Sequence, residues 1–238
     1  QLKKLESYTT DVLGKYLYNV PGDGNCLFYA VACAAFYNNT FDNLRGELKS
    51  VLEGTLVAEL CHVTVNDRLK QIPILKKTAL VLKSIVSEII QYNYDAFLLF
   101  FKKHKIPKGL DDAAKLEKMD MIIQQQAVGQ QANVLNFIHS LLVDIEHTDN
   151  YNDINDYITA IAADANELRE YTKGWGGDVE LQILSALLCL NINTYPSNSV
   201  DISDLDNYYN VKYKKTIKIC LLPTKYSKCC SSVTEIDL

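Results

Sequence analysis

The sequence predicts an α/β protein, a small central β-sheet flanked by helices. Short stretches with strand-like alternation lie near both ends of the chain, and long helical stripes run between them. The order strand, helix, several helices, helix, strands is that of a layered α/β domain. With 238 residues, 48% of them hydrophobic, the chain can bury one good core, or one core with a helical lobe, so residues 1–238 are read as a single domain.

In chain order, Leu2, Leu5, Val12 and Leu13 mark a short helix. Residues 15–20 alternate and are rich in aromatics, a short strand ending at Pro21. Gly22-Asp23-Gly24 is turn chemistry: glycine allows positive φ, and an aspartate can accept from backbone amides two residues on. Leu27, Phe28, Ala30, Val31, Ala34 and Ala35 are then spaced like a buried helix reaching about Tyr37. Asp42 or Asn43 caps a further helix with Leu44, Arg45, Leu48, Val51 and Leu52 on one stripe.

Residues 72–147 are strongly helical. Leu80, Leu82, Ile85, Val86, Ile89 and Ile90 form one stripe, Pro107-Lys108-Gly109 breaks the pattern, and Leu116, Met119, Ile122 and Ile123 resume it. This block is expected to project from the sheet as a helical lobe. A polar loop at 149–153 leads to a helix over 154–171. Gly174-Trp175-Gly176-Gly177 is a second turn, opening a helix with Asp178 as N-cap and Glu180 in its first turn. Strands are expected at 191–195 and 216–222, with a loop over 198–210.

A net charge of −5 and a pI near 5.4 argue against nucleic acid or an anionic membrane as the main partner. Seven cysteines without C-x-x-C pairs resemble neither a disulfide framework nor a metal site, and no cofactor motif is present. A reducing cytosol fits them. No apolar run approaches the ~18 residues that span a membrane. The chain opens on Gln1 without a signal peptide, as expected of a domain excised from something longer.

The chemistry gathers at Cys26. A tight turn feeding a helix whose first turn carries a cysteine favours the thiolate, through amide N–H groups and the helix dipole. The same amides can bind an oxyanion.

The string Asp23-Gly24-Asn25-Cys26-Leu27-Phe28-x-Ala30 resembles the nucleophile motif of the ovarian tumour (OTU) family of cysteine proteases, mostly deubiquitinases. Leu44-Arg45 on the following helix and the Trp175-Gly176-Gly177 turn match two further landmarks. The resemblance touches both ends of the chain and skips about its middle third. It implies a papain-like OTU fold with Cys26 as nucleophile, and an oxyanion hole shaped by the turn from Gly22 and Asp23 through Gly24 to Asn25. It also implies ubiquitin or polyubiquitin chains as partner. The block at 72–147, inserted between the landmarks, resembles the helical insertions of OTU-like effectors from intracellular bacteria. That adds host cytosol after secretion as a location.

A thiol protease also needs a base near the sulfur. In the OTU pattern a histidine follows the last core strand, but here no histidine lies beyond His147. Lys225-Tyr226 stands at that place, with Ser227 or Lys228 where an orienting residue belongs. Three explanations stay open: the histidine lies outside this chain, Lys225 replaces it, or one of His62, His104, His139 and His147 reaches the site, His147 first. The corresponding functions are a cysteine-type deubiquitinase and, alternatively, a ubiquitin-binding pseudoenzyme.

Overall fold

The computed structural model describes residues 20–38, 68–95, 97–98, 151–168, 173–194, 209–211, 222 and 234–238. Helix α1 (Cys26–Tyr37) begins where the turn ends, as its apolar spacing predicts. Phe28, Tyr29, Val31, Ala32 and Ala35 are all buried, so nearly the whole described circumference of α1 is core. A helix apolar on every side belongs in the middle of a fold.

Helix α2 (Arg68–Tyr92) packs on α1 and presents Leu75, Ala79, Leu82, Val86, Ile89 and Ile90 to the same core. Residues 72–92, the start of the block expected to form a lobe, belong to α2, whose apolar stripe packs against α1 and the next helix. The rest of the block lies largely outside the described residues, as do the segments expected at 2–19 and 42–52.

Helix α3 (Ile154–Ala162) is capped by Asp153, whose carboxylate accepts the Asp156 amide at 2.9 Å. It buries Ile154, Tyr157, Ala160 and Ile161 against α2. The single helix expected over 154–171 is not formed. The chain extends at Ala163 and resumes as one 3-10 turn, Ala165–Glu167, capped by Asp164, which accepts the Asn166 amide at 3.1 Å. Asp164 has stronger partners elsewhere than a continuous helix would provide.

Helix α4 (Asp178–Leu188) also departs from expectation at its start. Its N-cap is Gly177, and Asp178 is the first helical residue. The buried Glu180 carboxylate reaches back to the Gly177 amide at 2.6 Å and accepts the Tyr157 hydroxyl, tying α4 to α3. Cys189, left-handed at φ 58°, turns the chain into β1 (Leu190–Thr194). Cys189 is disulfide-bonded, which the cysteine spacing did not announce, whereas Cys26 and Cys33 are reduced thiols.

β1 is the middle of a three-stranded mixed sheet. On one side β2 (Tyr209–Val211) runs antiparallel, pairing Ile192 with Val211 and Thr194 with Tyr209. On the other β3 (Thr234–Asp237) runs parallel, pairing Leu190 with Thr234 and Ile192 with Ile236. Strand β2 begins inside the stretch expected to be loop, and β3 was not expected at all. Three or four residues carry too little periodicity to read, and their register comes from the buried β1 beside them. Of the strand expected at 216–222 only Leu222 is described, and it is buried in the core. Among the described residues, no helix is long and apolar enough to cross a membrane.

Candidate active site

The turn before α1 is locked by its own aspartate. Asp23 Oδ1 accepts the Asn25 amide at 3.0 Å, and Oδ2 accepts the Tyr29 hydroxyl at 2.9 Å and Asn166 Nδ2 at 3.0 Å. Burial, together with the Asp23 carboxylate, raises the Tyr29 phenol above its ordinary range, so it stays a donor. The Tyr29 amide donates to the Asn25 carbonyl at 3.1 Å, which makes Asn25 the cap and puts Cys26 in the first turn. The Cys26 side chain is exposed.

Gly24 adopts φ +85°, a conformation that disfavours side chains. A Cβ there would lie 2.6 Å from Trp175 Nε1 and 2.8 Å from the Ala165 Cβ. Gly22, by contrast, has open space around it. Gly176 is as crowded as Gly24: a Cβ on it would collide with Leu27 and approach Phe28 Cε2 at 3.0 Å. The two turns singled out in the sequence therefore pack directly on each other, backbone against side chain.

Behind the turn lies a polar network that sequence reasoning missed. Asn25 is 1% exposed. Its Nδ2 donates to Asp164 Oδ1 at 2.8 Å, and its Oδ1 accepts Lys83 Nζ at 2.9 Å and the Ala165 amide at 3.2 Å. Lys83, fully buried on α2, also donates to the Gly174 carbonyl at 3.0 Å. Burial pulls its ammonium down to about 8, while Asp164, Glu180 and Asp23 oppose the fall. An ammonium taken from water costs several kcal/mol unless its protons find acceptors, which these two oxygens provide. Its signal in the sequence was a lysine beside the apolar positions Ala79, Leu82, Val86 and Ile90. Asp164 and Asn166 left only a weak sign, two capping residues inside an otherwise helical pattern.

Asp164 completes the network with an ion pair to Lys76 at 2.5 Å. Burial alone would raise its carboxyl, but the hydrogen bonds from Lys76, Asn25 and the Asn166 amide outweigh it and hold the group at about 2. A carboxyl depressed below its usual ~3.9 adds stability that is present above about pH 4 and is lost as pH falls toward about 2. The urea midpoint should therefore drop more steeply between about pH 4 and pH 2 in the wild type than in Asp164→Asn. Equal slopes would remove Asp164 from the acid response.

Asp23 and Asn25 thus use their side chains to brace the turn, and any oxyanion contact falls to main-chain amides around Cys26. His62, His104, His139, His147 and Lys225 lie outside the described residues, as does the segment 223–228. Among the described residues, no cluster of histidine, cysteine, aspartate or glutamate could hold a metal ion. Compared with protein-family models, with curated proteins and with solved structures, the chain finds no match in any of the three.

Proposed function

We propose that the chain is a cysteine-type deubiquitinase, a papain-like OTU protease with Cys26 as its nucleophile. One observation supports this more than any other. An exposed thiol opens a core helix on a turn braced from behind by Asn25, Asp164 and Lys83 and packed on the Trp175–Gly176–Gly177 turn. A thiol needed only for packing would have no use for such bracing. The substrate class rests on the resemblance of residues 23–30 to the OTU motif.

In this reading the Cys26 sulfur attacks the carbonyl carbon of the ubiquitin C-terminal glycine. The C–S bond forms, the C–N bond breaks, and the thiol proton leaves with the amine by way of a base. Water then hydrolyses the thioester, regenerating the thiol and a ubiquitin carboxylate. Lys225 or His147 is the base the chain itself offers. A lysine would serve only if desolvation lowered its pKa by several units.

The second reading, a pseudoenzyme that binds ubiquitin without cleaving it, is favoured by the absence of a histidine beyond His147. Three assays on this chain separate the readings: labelling by ubiquitin with a C-terminal electrophile, cleavage of di-ubiquitin, and binding of ubiquitin. Labelling with cleavage is the expected result. Ubiquitin binding without cleavage supports the pseudoenzyme, and neither binding nor labelling overturns both.

A further inference from the structure

Lys83 is an ammonium placed between two turns that come from distant parts of the chain. Its Nζ lies 2.9 Å from Asn25 Oδ1 and 3.0 Å from the Gly174 carbonyl, and 5.4 Å from the centre of the Phe28 ring. Asn25 directly precedes Cys26, and Gly174 directly precedes Trp175. We propose that Lys83 is a positioning residue for the Cys26 thiol, holding the nucleophile turn in register with the Trp175–Gly177 turn through Asn25 and Gly174. The inference deepens the thiol-hydrolase reading and rests on it.

Three features separate this role from ordinary core packing. First, an apolar residue of similar volume would suit the stripe of α2 at least as well for stability alone, since buried charges are rarely net stabilising. Second, the ammonium has three protons, and its surroundings offer two oxygen acceptors and an aromatic face, so its orientation is defined. Third, Asn25 is gripped from two sides, by Lys83 on α2 and by Asp164 and the Ala165 amide on the 3-10 turn. Without Lys83 one grip remains, and the link to Gly174 is gone. With burial pulling it to about 8, the group remains charged at neutral pH.

The test measures how fast iodoacetamide modifies Cys26, with each cysteine followed separately by mass spectrometry and the urea midpoint recorded for each variant. In Lys83→Met the Cys26 rate should fall roughly tenfold, less than the ~10²-fold that a misplacement of ~1 Å can cost an enzyme. Lys83→Gln, which keeps a donor for Asn25 Oδ1, should recover part of the loss. In an Asn25→Ala background Lys83→Met should add little, because the path through Asn25 is already cut. Ile89→Val, buried on the same helix, should lower the urea midpoint without slowing Cys26.

A wild-type rate in Lys83→Met overturns the inference, as does full additivity with Asn25→Ala or an equal loss in Ile89→Val. Should Lys83→Met fail to fold, an unchanged rate in Lys83→Gln overturns it instead. A wild-type Cys26 no faster than glutathione at the same pH would bring down the thiol-hydrolase reading together with this inference. A fast wild type with a silent Lys83 brings down this inference alone.

Discussion

Cys26→Ala should abolish labelling by a ubiquitin electrophile and lower di-ubiquitin cleavage to background, an expected loss on the order of 10⁶-fold if the nucleophile acts as in other hydrolases. The fold should be unaffected, since Cys26 is exposed and substitutions at such positions usually change stability by no more than about 0.5 kcal/mol. Cys33 provides the internal control. It is buried, and burial pushes its thiol up to about 12, so little thiolate forms at neutral pH. Intact-mass and peptide mapping after labelling should place the adduct on Cys26. An adduct on any other cysteine, or a Cys26→Ala chain that still cleaves, would show that the nucleophile has been misassigned.

Gly24→Ala should destabilise the protein by about 2–5 kcal/mol, combining the ~1–2 kcal/mol of a left-handed alanine with the ~1–3 kcal/mol of overpacking. Both costs are visible in the turn. The φ of +85° leaves an alanine strained, and its Cβ would stand 2.6 Å from the Trp175 ring nitrogen and 2.8 Å from Ala165. Relief requires the two turns to separate, so Cys26 reactivity should fall along with the urea midpoint. Gly22→Ala is the matched control, two residues earlier with nothing within 4 Å, and should stay within about 0.5 kcal/mol of wild type. If the two substitutions cost the same, the turn is not held by the packing described here.

The comparison with Gly22 also marks how far the turn could be read in the sequence. Both glycines were read as allowing positive φ, and φ +85° is observed at Gly24. Local chemistry announced the Asp23-to-Asn25 turn, the start of α1 and its apolar face, because each depends on residues within about one helical turn. The same holds for α3 up to Ala162, for α4 after its cap, and for β1. Reading failed where a residue's partner is remote. Asp164 lies in a helical pattern but bonds Asn25 and Lys76, and Asp178 has cap chemistry but yields the cap to Gly177, to whose amide Glu180 turns back. The strand Thr234–Asp237 is too short to announce itself and exists by pairing with Leu190–Asn193.

The residue order alone specifies a cysteine at the head of a buried helix, two glycine turns of defined chemistry, and an apolar stripe on α2. These follow from backbone preference and helical period, which act over a few residues. That the two turns touch, that Lys83 faces inward between them, and that Asn25 bonds Asp164 rather than solvent follow from long-range packing. The physical reason is the cost of burying polar groups. An ammonium, an amide and a carboxylate can leave water together only when the chain brings all three to one place, and no local pattern records that meeting.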